Sequence, residues 1–209
     1  MSSEPRASRI GEPTWEIANL YPRQGAWSET DYLGLDAGSL VEFDSGVLEI
    51  LRMPTELHQA ITLCLWLQIQ TFIKTNRHAE GVCLVAPLPV RLWEGKFREP
   101  DVMYMSAENR EQRTPKFWKG ADLVMEIVSE SDPDRDWIEK RHEYAKAGIS
   151  EYWIVDPRDR SITVLGLSES ESSYRELSRT CDGQQARSRL LDGFAVDVST
   201  VFDRPEVIQ

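Results

Sequence analysis

Asp101 and Glu126 are acids set inside apolar runs, EPDVMYM and DLVMEIVSE. Leu123, Val124, Met125, Ile127 and Val128 surround Glu126, the pattern of a strand covered on both faces. An ionised carboxylate in such a strand is costly unless something pairs with it. Two acids on neighbouring strands repel, and one stays protonated unless a cation lies between them. A hard divalent ion such as Mg²⁺ meets that need, since it takes oxygen ligands, often one or two carboxylates with waters. Lys140 is the third group. On a helix advancing about 100° per residue it lies within a quarter-turn of Trp137 and Tyr144, at the border of the packed face. An amine there can orient a metal-bound water or offset charge on a phosphate. Taken singly, each residue has a plainer reading. Glu126 fits a structural ion pair, Asp101 an Asx turn or strand-end cap, and Lys140 a partner for Asp136 or Glu143 on its own helix. Their combination at inward-looking positions points to chemistry.

The elements that must hold these groups follow from patterning. Ser28 caps a short helix through Leu35. VEFDSGVLEI reads as a hairpin turning at Asp44-Ser45-Gly46. Pro54 and Thr55 open a helix to Lys74, apolar over much of its girth and therefore packed under other elements. Val82–Val90, Arg98–Ser106 and Ala121–Ser129 read as strands, with Pro87, Pro89 and Pro100 marking irregular backbone. A helix capped from Asp132-Pro133-Asp134 runs to Ala147 and stops at Gly148. EYWIVDP is a strand, Ser161–Leu167 and Tyr174–Arg179 are outer hairpin strands, and Asp197–Phe202 is a final helical turn. The helix between the Glu126 and Tyr152 strands has the length of a crossover, which makes those strands parallel neighbours. The class is mixed α/β with a central sheet: an irregular arm over residues 1–27, then one domain over 28–209.

Composition narrows the function classes. The 209 residues carry a formal charge of −11, which argues against a non-specific nucleic-acid coat but not against a nuclease, because the location of the charge decides binding. Arg110, Arg113, Lys116 and Lys119, interleaved with Phe117 and Trp118, form one basic stretch, read as a solvated loop. No apolar run suits a bilayer and no signal peptide is evident, so a cytoplasmic protein without a membrane partner is expected. Cys64, Cys83 and Cys181 show no metal spacing; Cys64 and Cys83 read as buried thiols. His58, His78 and His142 are scattered.

EPDVMYM, DLVMEIVSESD and EKRHEYAKAGISEYWIVDP, with VEFDSGVLEI and PTELHQ upstream, resemble the Uma-type restriction endonuclease family of the PD-(D/E)XK nuclease superfamily. The similarity runs from about Leu40 to Phe202. It implies a restriction-endonuclease-like core, a mixed sheet flanked by helices with extra β-hairpins. It implies Asp101 and Glu126 as Mg²⁺ ligands (Mn²⁺ being an alternative), with the backbone carbonyl of Ile127 nearby. The superfamily's lysine two residues after the acid is missing, since Val128 stands there; Lys140 on the following helix is the substitute. His58 and Glu42 match recurrent polar positions and, with Tyr144, are candidate substrate contacts; Glu56 is a rival to Glu42 for the superfamily's helical glutamate. DNA is the implied substrate and a homodimer the implied assembly, with Trp93 and Trp118 as exposed aromatic candidates for its interface. Two functions stay open: a Mg²⁺-dependent endodeoxyribonuclease, or a nuclease-like binding or regulatory module with weak or no catalysis, favoured by the acidic charge and the lack of an evident DNA-reading domain.

Overall fold

A computed structural model describes residues 20–35, 40–76, 80–168 and 172–203. Residues 1–19 of the expected arm, the last residues of the expected domain and His78 lie outside them. In chain order the elements are α1 (Glu29–Leu33), β1 (Val41–Asp44), β2 (Val47–Ile50), α2 (Glu56–Thr75), β3 (Gly81–Val85), β4 (Val90–Trp93), β5 (Lys96–Arg98), β6 (Val102–Ser106) and a 3₁₀ helix (Ala107–Gln112). Then come β7 (Leu123–Ile127), a π-helical segment (Arg135–Lys140), α3 (Arg141–Lys146), β8 (Glu151–Asp156), β9 (Ser161–Leu167), β10 (Tyr174–Cys181), β11 (Gln185–Arg187), β12 (Ala195–Asp197) and α4 (Val198–Phe202).

The central sheet has the order β10-β9-β8-β7-β6-β3. As expected from the crossover, β7 and β8 are parallel, with Glu126 opposite Ile154; β6 runs antiparallel to β7, with Val102 opposite Met125. Side chains alternate between faces. Val102, Tyr104, Leu123, Met125, Ile127, Trp153 and Val155 join the cluster that Ile61, Leu65 and Ile69 of α2 cover. Met103, Met105, Val124, Val128, Tyr152 and Ile154 join the opposite cluster, with Tyr144 and Ala145 of α3. By this parity Glu126 takes the second face and points at the helix that carries Lys140, while Asp101, just before β6, stands at the end of the sheet beside it.

A second, four-stranded antiparallel sheet has the order β2-β1-β5-β4. Its β1–β2 turn has left-handed backbone at Ser45 and Gly46, at φ 49° and 89°, the conformation of a tight hairpin. A Cβ on Gly46 would come within 2.9 Å of the Gly25 carbonyl oxygen, because the lead-in docks there: Gly25 N–H donates to the Gly46 carbonyl at 2.8 Å. The Gln24 amide brackets Leu48, donating to its carbonyl and accepting from its N–H at 2.8 Å each. Ser28 and Asp31 form a reciprocal capping box on α1. Tyr32, Val41, Phe43 and Phe97 make a small core beneath α1.

Several expectations are corrected. The segment read as one strand from Arg98 to Ser106 splits between the two sheets as β5 and β6; the break falls at Glu99-Pro100-Asp101, where Pro100 has no ladder proton. Val82–Val90 likewise splits into β3 and β4 around a cis Ala86–Pro87 bond. Helix α2 is not wholly covered: Leu57, Leu63 and Leu67 are 40–50% exposed, Leu63 and Leu67 because they lie outside the arc that buries Ile61, Cys64, Leu65 and Ile69, and Leu57 in the first turn of the helix. The helix after Asp134 opens as a π segment without a side-chain cap. Strand β9 is interior to the central sheet rather than an outer strand, and β10 forms the edge. The β11–β12 pair was not expected. Trp118 is buried at 2% exposure, which removes it as an exposed interface aromatic. No helix among the described residues is long and apolar enough to cross a membrane.

Candidate active site

Glu126 sits on the face of β7 that the Arg135–Lys146 helix covers, and it is 1% exposed. Its Oε2 lies 2.9 Å from Lys140 Nζ, and its Oε1 accepts from the Tyr144 hydroxyl. Lys140 also reaches Asp136 Oδ1 at 3.2 Å. Asp136 is 4% exposed, and its carbonyl accepts from the Tyr152 hydroxyl at 2.9 Å, which ties the π segment to β8. A π turn widens the helix locally and often marks a functional position.

Asp101 leaves the Pro100 break just before β6. Its Oδ2 accepts from the Ile127 N–H at 2.8 Å, and its own N–H approaches Glu126 Oε2 at 3.5 Å. His58, near the start of α2, places Nε2 at 3.1 Å from the same Asp101 oxygen. Continuing the β6–β7 register, Ile127 comes opposite Pro100, which has no amide proton to give the Ile127 carbonyl. Asp101, Glu126, Lys140, His58 and Ile127 are thus gathered at one end of β7.

Burial governs the charges. It raises the pKa of Glu126; Lys140 opposes that shift, while Asp101 and Asp136 add to it, and the net is upward. Burial likewise raises Asp136 against the pull of Lys140. For Lys140 burial acts downward, but Glu126, Asp136 and Glu42 outweigh it and the amine keeps its proton more firmly than an ordinary lysine. Burial is the largest influence on the His58 imidazole and pushes it down, but its hydrogen bond to Asp101 and the charges of Asp101 and Asp136 together outweigh it, so it too lies above its ordinary value. Glu99, 7% exposed, is pushed up to about 7 by burial and by Glu42.

Two of the candidate substrate contacts face inward instead. Glu42 is 1% exposed; its carboxylate binds Arg98 and Arg135 and accepts the Glu99 N–H at 3.1 Å. Tyr144 is fully buried, with its hydroxyl given to Glu126. Both brace the site from behind, because the alternation of β1 and the turn of α3 aim them at the interior. The rival Glu56 is exposed. The sequence marks Asp136 only as a same-helix partner for Lys140. Its signal is the i,i+4 spacing, which looks alike on a buried and an exposed helix face. Behind these groups, Arg98 at 1% exposure joins Glu42, Glu139 and Glu143, and so ties β5 to the helix bearing Lys140.

Beside Asp101 and His58 opens a cleft of about 740 Å³, with Met53, Gln59, Leu63, Val85 and Glu99 among its walls.

The sequence profile of the Uma2 family, described as "Putative restriction endonuclease", matches residues 29–199. A crystal structure from Anabaena variabilis ATCC 29413, of "a putative nuclease belonging to DUF820", resembles this chain with a TM-score of 0.67 at 14% identity, over 85% of this chain and 98% of that one. At that identity the likeness speaks for the fold: a mixed α/β domain around a central mixed sheet. No curated protein matches the chain. Since the profile follows the chain from α1 into α4, through both acids and the lysine, this protein belongs to the Uma2 family of restriction-endonuclease-like proteins.

Proposed function

We propose that the protein is a divalent-metal-dependent nuclease that hydrolyses phosphodiester bonds of DNA. The observation that carries this reading is the convergence of Asp101, Glu126 and Lys140, from three separate elements, at one end of β7. The donor chemistry fits a hard cation. Among the described residues no group of three or more His, Cys, Asp or Glu forms a metal cage. Mg²⁺ keeps most of its waters and needs only one or two carboxylates from protein. Asp101 and Glu126 supply these, with the Ile127 carbonyl beside them. Three acids, Asp101, Glu126 and Asp136, share one lysine and one histidine, and a cation offsets that acidic excess.

When bound, such a cation polarises a water and the scissile phosphate. The chain's own groups do the rest. Lys140 carries three N–H groups, two of them directed at Glu126 and Asp136, and the third can meet charge developing on the phosphate. Because Lys140 holds its proton, it acts as a donor and not as a base. Tyr144 fixes Glu126, and the Ile127 N–H and His58 fix Asp101. Purified protein is expected to nick supercoiled DNA with Mg²⁺ or Mn²⁺. Asp101→Asn, Glu126→Gln and Lys140→Met should each cut the rate on the order of 100-fold or more. Equal cleavage by all three variants would overturn the assignment.

The closed Lys140–Glu126 pair supports a second reading, a nuclease-like binding module. Such a module would bind no divalent cation through Glu126.

A further inference from the structure

Apart from Asp101 and His58, the walls of the cleft beside Asp101 take no part in the cleavage chemistry described above. Its volume of about 740 Å³ lies in the range of small-ligand pockets, roughly 300–1,000 Å³. Most of its wall is apolar, with Met53, Leu63, Val85 and Pro87 among the residues that form it. Asp101, His58 and the exposed Lys116 also line it. One buried polar group faces into it: Glu99, 7% exposed. The Glu99 backbone is held by Glu42 at 3.1 Å and its Oε2 accepts from the Val41 N–H at 3.2 Å. No cation pairs with Glu99 among the described residues, and its other carboxyl oxygen is left for an incoming N–H.

A stacked duplex cannot enter a concave apolar pocket, whereas a single unstacked base can, and enzymes that house such a base hold it by apolar contact and by hydrogen bonds to its edge. Resting on the nuclease reading, we propose that this cleft holds one unstacked nucleobase of the strand whose adjoining phosphodiester lies at Asp101. The substrate class is then nucleic acid with unpaired or extruded nucleotides. Glu99 accepts an N–H from the exposed edge of the base, the exocyclic amine of adenine, cytosine or guanine or the N3–H of thymine. The exposed Lys116 faces the backbone phosphates.

Equilibrium binding in metal-free buffer, read by fluorescence anisotropy of labelled oligonucleotides, separates this claim from catalysis. A single strand of mixed sequence should bind at least about tenfold more tightly than the blunt duplex of the same length. Thr62→Trp, which projects an indole into the cleft from α2, should abolish the single-strand preference; Leu63→Trp, at a half-exposed position, serves if Thr62→Trp lowers the melting temperature. Glu99→Gln should weaken single-strand binding while retaining the Val41 contact. Equal binding of single strand and duplex, unmoved by the tryptophan variants, would overturn the proposal and leave the cleft to a peptide or a second copy. If duplex cleavage persisted in that case, the nuclease reading would still stand. Single-strand preference without cleavage would uphold the cleft and remove the nuclease.

Discussion

Asp136 alters what a substitution at Lys140 does. With the amine gone, two nearly fully buried acids, Glu126 and Asp136, lose their common cation. Removing one partner from a buried ion pair typically costs about 3–5 kcal/mol. Lys140→Met should therefore lower stability to denaturant as well as activity, and added Mg²⁺ should recover part of that loss through Asp101 and Glu126. Chemical denaturation with and without the metal checks both statements; a variant as stable as the parent would mean that the acids carry no charge for Lys140 to balance. Much of this site was readable from the chain. Glu126 stood out because both neighbouring faces are apolar, and Lys140 because its helical angle lies near Trp137 and Tyr144. The bond from His58 to Asp101 was not readable, since α2 and the Pro100 break meet only through the tertiary fold. Nor was the burial of Glu42, because one hairpin strand cannot tell which of its faces the helix bearing Arg135 and Lys140 will cover.

At the level of elements, the Arg98 network couples the four-stranded sheet to the helix carrying Lys140. Burial pushes the Glu42 carboxyl up, but Lys140, Arg98 and Arg135 outweigh it, and its pKa falls below the ordinary glutamate value of 4.5. A carboxylate with a depressed folded-state pKa contributes stability that is present above its unfolded value and fades as pH falls through its folded value. The stability gap between the parent and Glu42→Gln should thus be widest near neutrality and shrink below about pH 4.5. Denaturation at a series of pH values measures it, and a gap constant down to acid pH would show that Glu42 acts by shape alone. Sequence patterning found β7, β8 and their parallel pairing, because a doubly apolar run, a helix-length insert and a second such run leave few arrangements. It missed that β5 and β6 belong to different sheets, although Pro100 marked the spot: a proline shows where a ladder stops but not where the chain goes next. Arg98 was equally hidden, since its partners Glu42 and Glu139 lie 56 and 41 residues away.

For the molecule as a whole, the acid surplus and the proposed nucleic-acid substrate are reconciled by where the cations sit. Arg110, Arg113, Lys116 and Lys119 are all exposed, and Lys116 borders the cleft. Removing one phosphate-binding cation should lower the slope of log affinity against log salt by about 0.9 for duplex DNA and about 0.7 for single strands. Replacing these four residues by glutamine should weaken binding at every sequence alike and flatten that slope; an unchanged slope would move the nucleic-acid surface elsewhere. The most direct test of the proposed metal site is titration calorimetry of Mg²⁺ into the intact chain and into Glu126→Gln. One divalent cation bound per parent chain, with that binding lost in the variant, is the expected result. Binding of the same strength in both, or in neither, would contradict the claim that Glu126 and Asp101 are kept inside the protein to hold a metal.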